Sequence, residues 1–430
     1  MRHRTIVTLV AAVLVVGGVA CGSSKKGTTT AATTTTTPAS SSSSGASGLE
    51  IGLHLALRAP GSAEGFARHD AVTIDADGNP VIAYVTTPAD DSAKPVLSVV
   101  TFDAAMATWK APVRVAEMTP FSSRGTISAA FDPTTKTDLV AFEDGGGIGL
   151  AQSSDGGATW TTSAAVAAAP DDPSTHPSIA AAGGKAVIAY GNGGGLEART
   201  ITLGATPAVG DAVAVPGDGG DAALVRGTDP VSVATDGTSF ALAYFSSVPT
   251  DAYTAEILYW PLGAAAPVKV MDSGGVQNDG PSLGLAYNGA NPLIGASISI
   301  DEGTAEYVVE SIASTDGGKT FAAPVKVAPD GGSGPGFATA VAAHDTDAAI
   351  AYSSNSGDGT NTCGDPKLAV TNDLRSWETC SPDADNKKAF HSNDPALAVP
   401  PDGRLFMAFT AASSADDAPG IYLYVFGATG

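Results

Sequence analysis

The chain has 430 residues, with 22 Lys and Arg against 44 Asp and Glu and a formal charge of −22. At roughly one domain per ~150 residues, this length suits two or three domains or one large repeat fold. The shortage of positive charge excludes a general nucleic-acid binder, because phosphate recognition needs a cationic surface. With 51 Gly and only 15 % charged residues, long salt-bridged helices and coiled coils are excluded too, since both draw on Glu, Lys, Arg and Leu.

Residues 1–20 read as an export segment. Arg2 and Arg4 make a positive start, and Ile6–Ala20 is an apolar run of 15, shorter than the about 20 residues a membrane-spanning helix needs. The run closes in Gly18-Val19-Ala20-Cys21, which resembles a bacterial lipobox, with Gly18 where that family has Leu or another aliphatic residue. The resemblance implies a lipoprotein signal peptide, lipidation of Cys21 and a protein anchored to the cell envelope, facing the periplasm or the exterior. Gly22 stands where many inner-membrane lipoproteins have Asp, which favours the outer membrane if the cell has one. An ordinary secretory signal cleaved near Ala20 is the alternative. Residues 21–48 then form a Thr- and Ser-rich stretch with Lys25, Lys26 and a single Pro38. Nothing large and apolar is available to bury, so a disordered tether spanning on the order of 30 Å is expected. Removing residues 1–49 leaves 18 basic against 44 acidic residues, a surface that repels anionic lipid and nucleic acid.

From residue 49 onward a unit of about 54 residues recurs. It reads polar–Pro–small–apolar–Ala, a Gly-containing turn, then an apolar stretch closing in Ala-Tyr or Ala-Phe. The copies close at Tyr84, Phe142, Tyr190, Tyr244, Ala296, Tyr352 and Phe409. Each contains four short β-branched or Ala-rich runs bounded by Gly, Asp, Asn and Pro. In copy three the strands are predicted at Pro177–Ala182, Ala186–Tyr190, Leu196–Leu203 and Ala212–Pro216. Seven such copies around an axis predict an all-β, seven-bladed β-propeller over residues 49–430. The last copy supplies only Ala396–Val399, Leu405–Thr410 and Ile421–Phe426. Leu49–Leu57 is therefore predicted to complete the last blade and close the ring.

Between the third and fourth strands of copy two lies Ser153-Ser154-Asp155-Gly156-Gly157-Ala158-Thr159-Trp160, and copy five has Ser314-Thr315-Asp316-Gly317-Gly318-Lys319-Thr320-Phe321. Shorter and longer variants run over Thr371–Trp377 and Thr101–Trp109. These resemble the Asp box, S-x-D-x-G-x-T-W/F, of sialidase-like (BNR-repeat) propellers. Asp and Ser/Thr side chains hold nearby amides, Gly takes a positive φ, and the aromatic ring is expected to pack inward as an apolar anchor.

The resemblance implies an exo-sialidase-like glycoside hydrolase as one reading, on a six-bladed propeller with three arginines, a Tyr/Glu nucleophile pair and an Asp acid/base. Arg68 and Arg124 open copies one and two as the family's first arginine does, and Asp90 and Asp91 fall where its Asp stands. Two further arginines and the Tyr/Glu pair find no match. The acidic composition also opposes recognition of an anionic sugar. The preferred reading is a non-catalytic, monomeric binding propeller for a protein, a glycan or a cation.

In a propeller the entrances of the innermost strands and the loops between second and third strands converge on one face. His69, Asp70, His176, Asp229, Asp279, His391 and Asp394 fall at such entrances. Asp90, Asp91, Glu143, Asp144, Asp251, Asp301, Glu302, Asp358, Asp416 and Asp417 fall in such loops. A ring of carboxylates and imidazoles suits a divalent cation, Ca²⁺ if oxygens alone contribute; turn chemistry accounts for the same residues one by one. Cys363 and Cys380, flanking a hairpin of an exported chain, are expected to form a disulfide.

Overall fold

Short β-branched runs cut by Gly, Asp and Pro make strands and nothing else among the described residues. The computed structural model describes residues 54–60, 66–87, 94–119, 127–145, 147–167, 174–192, 195–218, 231–247, 255–273, 282–299, 307–327, 339–354, 365–380, 391–412 and 420–426. The chain enters as β1 (His54–Arg58). Blade 1 follows as β2 (Phe66–Ile74), β3 (Pro80–Thr87), β4 (Val96–Asp103), the two-residue β5 (Thr108–Trp109) and β6 (Val113–Glu117). Blade 2 is β7 (Ile127–Asp132), β8 (Thr137–Asp144), β9 (Gly147–Ser153) and β10 (Thr161–Ala167). Blade 3 is β11 (Ser174–Ala182), β12 (Lys185–Asn192), β13 (Gly195–Thr202) and β14 (Ala208–Ala214). Blade 4 is β15 (Val231–Thr235), β16 (Phe240–Ser247), β17 (Ala255–Pro261) and β18 (Val268–Ser273). Blade 5 is β19 (Ser282–Asn288), β20 (Asn291–Ser299), β21 (Tyr307–Ala313) and β22 (Val325–Lys326). Blade 6 is β23 (Thr339–His344), β24 (Asp347–Ser354), β25 (Asp365–Thr371) and β26 (Glu378–Cys380). Blade 7 is β27 (His391–Ala398), β28 (Leu405–Ala412) and β29 (Gly420–Phe426), completed by β1.

The innermost strands contact one another in the cyclic order β2, β7, β11, β15, β19, β23, β27 and back to β2. Seven antiparallel sheets around one axis make a seven-bladed β-propeller, not the six-bladed alternative. The ring closes as predicted: β1 lies antiparallel to β29, with His54 opposite Phe426 and Leu57 opposite Leu423. Residues 49–53 of the predicted closing strand lie outside the described residues.

Packing follows the ring. The buried hydrophobics form seven clusters among the described residues, one at each seam between neighbouring blades. A blade is a thin sheet with two apolar faces, so no single blade can bury its own core. Near the axis, where adjacent innermost strands splay too far for ladder bonds, hydroxyls bridge them. Ser128 Oγ accepts from Ile179 N (3.2 Å), Ser178 Oγ from Val233 N (2.9 Å) and Ser232 Oγ from Leu285 N (2.9 Å). Ser282 Oγ meets Thr339 Oγ1 at 2.8 Å. The small residue of the repeat is thus an inter-blade clasp.

The turns that resemble Asp boxes close as their residues require. Asp155 Oδ2 accepts from Thr159 Oγ1 (2.6 Å) and Oδ1 from Thr159 N (2.9 Å), while Ser153 Oγ accepts from Gly157 N (3.0 Å). Asp316, Thr320, Ser314 and Gly318 repeat the pattern. Thr371 and Asp373 form the shorter variant. The aromatic residues pack sideways, each into the seam with the preceding blade: Trp160 against blade 1, Phe321 against blade 4, Trp377 against blade 5 and Trp109 against blade 7. Gly318 shows why this position tolerates no side chain. Its φ is +84°, and a Cβ would stand 2.5 Å from the Tyr259 ring of blade 4.

One predicted span needed correction. The outer strand of copy three is Ala208–Ala214, not Ala212–Pro216, because a bulge resets the register between Arg199 and Ile201 and lets the pairing run further back. No disulfide is present among the described residues. Cys380 ends β26, and its expected partner Cys363 lies outside them.

Candidate functional site

Antiparallel blades put the starts of β2, β7, β11, β15, β19, β23 and β27 on one face, together with the b–c loops. On this face three blades carry a bulge among the described residues. In blade 1 the β2–β3 ladder shifts between Arg68 and Asp70, leaving His69 as the extra residue. In blade 3 the β11–β12 ladder shifts between Thr175 and Ser178, at His176 and Pro177. In blade 7 the β27–β28 ladder shifts between Asn393 and Ala396, at Asp394 and Pro395. Beyond each bulge the innermost strand continues to pair, reaching Phe66, Ser174 and His391. Over the described residues, which begin at Ile127, Val231, Ser282 and Thr339, the inner ladders of blades 2, 4, 5 and 6 carry no shift. A bulge swings the following residues to a new direction and is found next to working sites. His69 and His176, singled out in the sequence, therefore fall at two of these bulges, and His391 ends the ladder beyond the third.

The described side chains on this face are largely engaged. Asp70 is 6 % exposed and accepts from Thr410 Oγ1 of blade 7 at 2.8 Å, so it clasps the closing seam. Glu143 is fully buried at the end of β8, and its Oε1 accepts from His176 N at 3.0 Å. This bond holds His176 at φ +52°, an uncommon conformation for a residue with a side chain. Asp144 Oδ1 accepts from Thr119 N at 3.0 Å. Arg68, His69, His391 and Asp394 lie on β2 and β27. Arg124, Asp90, Asp91, Asp229 and Asp279 lie outside the described residues, as do Asp251, Asp301, Glu302, Asp358, Asp416 and Asp417. No group of three or more His, Cys, Asp or Glu placed to hold a metal ion occurs among the described residues.

The Tyr that closes several repeats has a consistent task. Tyr84 donates to Pro60 O (2.9 Å) and Tyr244 to Pro216 O (2.5 Å), each latching a second strand to the chain leaving the preceding blade. Tyr190 departs from this. Its hydroxyl donates to Glu197 Oε2 (2.9 Å) and accepts from Arg199 Nε (2.9 Å), while Asn192 Nδ2 donates to Glu197 Oε1 (2.9 Å). Here a Tyr, a Glu and an Arg do meet, which sequence spacing did not reveal, because the three come together only when β12 pairs with β13. Tyr190 is fully buried, and burial pushes its hydroxyl up to about 12, against the opposing pull of Arg199. A phenol so held keeps its proton and makes a poor nucleophile.

No protein-family model matches the sequence, and no curated protein matches it. Solved structures do resemble the fold. A Dyadobacter fermentans protein of unknown function aligns at TM-score 0.49 and 12 % identity, covering 86 % of this chain and 97 % of that one. An α-L-arabinanase from Penicillium chrysogenum aligns at 0.47 and 13 %, covering 87 % and 97 %. AofleA from Arthrobotrys oligospora aligns at 0.47 and 12 %, covering 78 % and 92 %. The likeness is one of general chain course, and the blade count rests on the hydrogen-bonded sheets of this protein.

Proposed function

We propose that the chain is a tethered, non-catalytic binding propeller whose ligand sits on the face of the bulged entrances in blades 7, 1 and 3. The observation that carries this reading is that the three described bulges fall at Asp394, His69 and His176, with His391 ending the ladder beyond the first of them. With 44 acidic against 22 basic residues, the surface favours an uncharged or cationic ligand, and among glycans one without carboxylate or sulfate. The Tyr190–Glu197–Arg199 set is the one feature that favours the sialidase-like hydrolase instead, and the burial of Tyr190 speaks against it.

Attachment fits the same scheme. β1 runs towards the entrance face, so His54 stands on the opposite face, with Phe426 and the start of β28. If Cys21 carries lipid, the chain rises from the membrane to the turn face and the entrance face looks outward. Two measurements test the proposal. On an array of neutral and acidic oligosaccharides the full chain should retain neutral ones, and His69→Ala with His391→Ala should lower retention by about tenfold. Turnover of a fluorogenic sialoside by the same preparation, abolished by Glu197→Gln, would overturn the non-catalytic reading.

A further inference from the structure

The outer rim of blade 3 differs from those of blades 1, 5 and 6. Among the described residues β14 is hydrogen-bonded on one side only, to β13, and every one of its side chains is exposed. β6 is partly covered, while β22 and β26 are two and three residues long. Val213 at 48 % and Val209 at 37 % are two of the three large hydrophobics exposed among the described residues. Long apolar strand edges invite pairing, and proteins normally blunt them with several charges. β14 carries one, Asp211.

This edge is also held ready. Gly210 and Asp211 together face the single residue Thr200, and a Cβ on Gly210 would stand 2.9 Å from Thr200 O. Arg199 Nη1 donates to Gly210 O at 3.2 Å while its Nε is bound to Tyr190. The bulge is thereby tied to a buried side chain, which lowers the ordering cost of docking on it.

A second copy of this chain is a poor occupant. The antiparallel register that sets Val209 against a partner's Val213 also sets Asp211 against Asp211, a like-charge pair opposite one another, between molecules that each carry −22. We propose that β14 is the docking edge for an extended segment of a partner protein, added as a fifth strand. That segment carries branched aliphatic residues opposite Val209 and Val213 and a Lys or Arg opposite Asp211. This inference is independent of the ligand on the entrance face.

The test uses the full chain and a labelled octapeptide, Thr-Val-Thr-Lys-Thr-Val-Thr-Thr, beside versions with Glu for Lys and with N-methylated backbone. Fluorescence anisotropy should show the Lys peptide binding about tenfold more tightly than the Glu peptide, with the N-methylated form silent. Asp211→Lys should invert the preference, and Val213→Lys should weaken binding about tenfold with the urea midpoint unchanged. No binding of the Lys peptide at millimolar concentration, or equal binding of the Lys and Glu peptides, overturns the proposal. A dimer in sedimentation that Val213→Lys disperses would assign the edge to a second copy and overturn it as well.

Discussion

Asp138 gives the sharpest physical test of this ring. It lies on β8 opposite Phe131 and Ser153, is fully buried, and neither carboxylate oxygen has a hydrogen-bond partner. Burial, then the nearby Asp75 carboxylate, raises it from 3.8 to about 7, with Lys110 opposing and Asp155 adding to the rise. Because the folded-state value lies above the unfolded one, the native protein keeps a proton that the unfolded chain has lost. Stability therefore falls as pH rises from about 4 to about 7 and levels off beyond. That rise from 3.8 to about 7 corresponds to about 4 kcal/mol, a large part of the about 5–15 kcal/mol that holds a domain folded. Urea unfolding followed by Trp fluorescence between pH 5 and pH 8.5 reads this directly. Asp138→Asn removes the charge at nearly constant shape, so its stability relative to the parent should rise by about 2–3 kcal/mol between pH 5 and pH 8.5. The difference between the two proteins isolates Asp138 from other groups titrating in the window. A difference that does not change with pH, or that falls, refutes the reasoning.

Three further outcomes follow from the packing. Tyr244→Phe removes the bond to Pro216 O and should cost about 1 kcal/mol with an unchanged denaturant slope in urea titration. Deleting residues 54–58 strips the strand from β29 and exposes a full sheet edge, so size exclusion should show oligomers or aggregates in place of the parent species. Asp316 is held down to about 2, chiefly by the Thr320 hydroxyl and amide. Its contribution to stability is present above the unfolded carboxylate value and is lost as pH falls towards 2. Carboxyl NMR titration should place its midpoint there, and Thr320→Ala should raise it.

Local chemistry made much of this legible before any fold was known. The Ser, Asp and Thr of 153–159 and 314–320 bind groups within four residues of themselves, so their turn is written in adjacent positions. The repeat and the strand missing from the last copy likewise follow from counting along the chain, and β1 against β29 is the outcome. Residues that act across a seam were not legible. Trp160 packs inward as an apolar anchor, but that the core it joins is the seam of blade 2 with blade 1 could not be read. Asp70 looked like a channel-mouth ligand and is clasped by Thr410, 340 residues away in sequence. Asp138 sits in an ordinary strand pattern, and nothing near it in sequence announces a carboxylate without a partner. A ring distributes its core over seams, so the surroundings of each such side chain come from the next blade, and only closing the ring decides them.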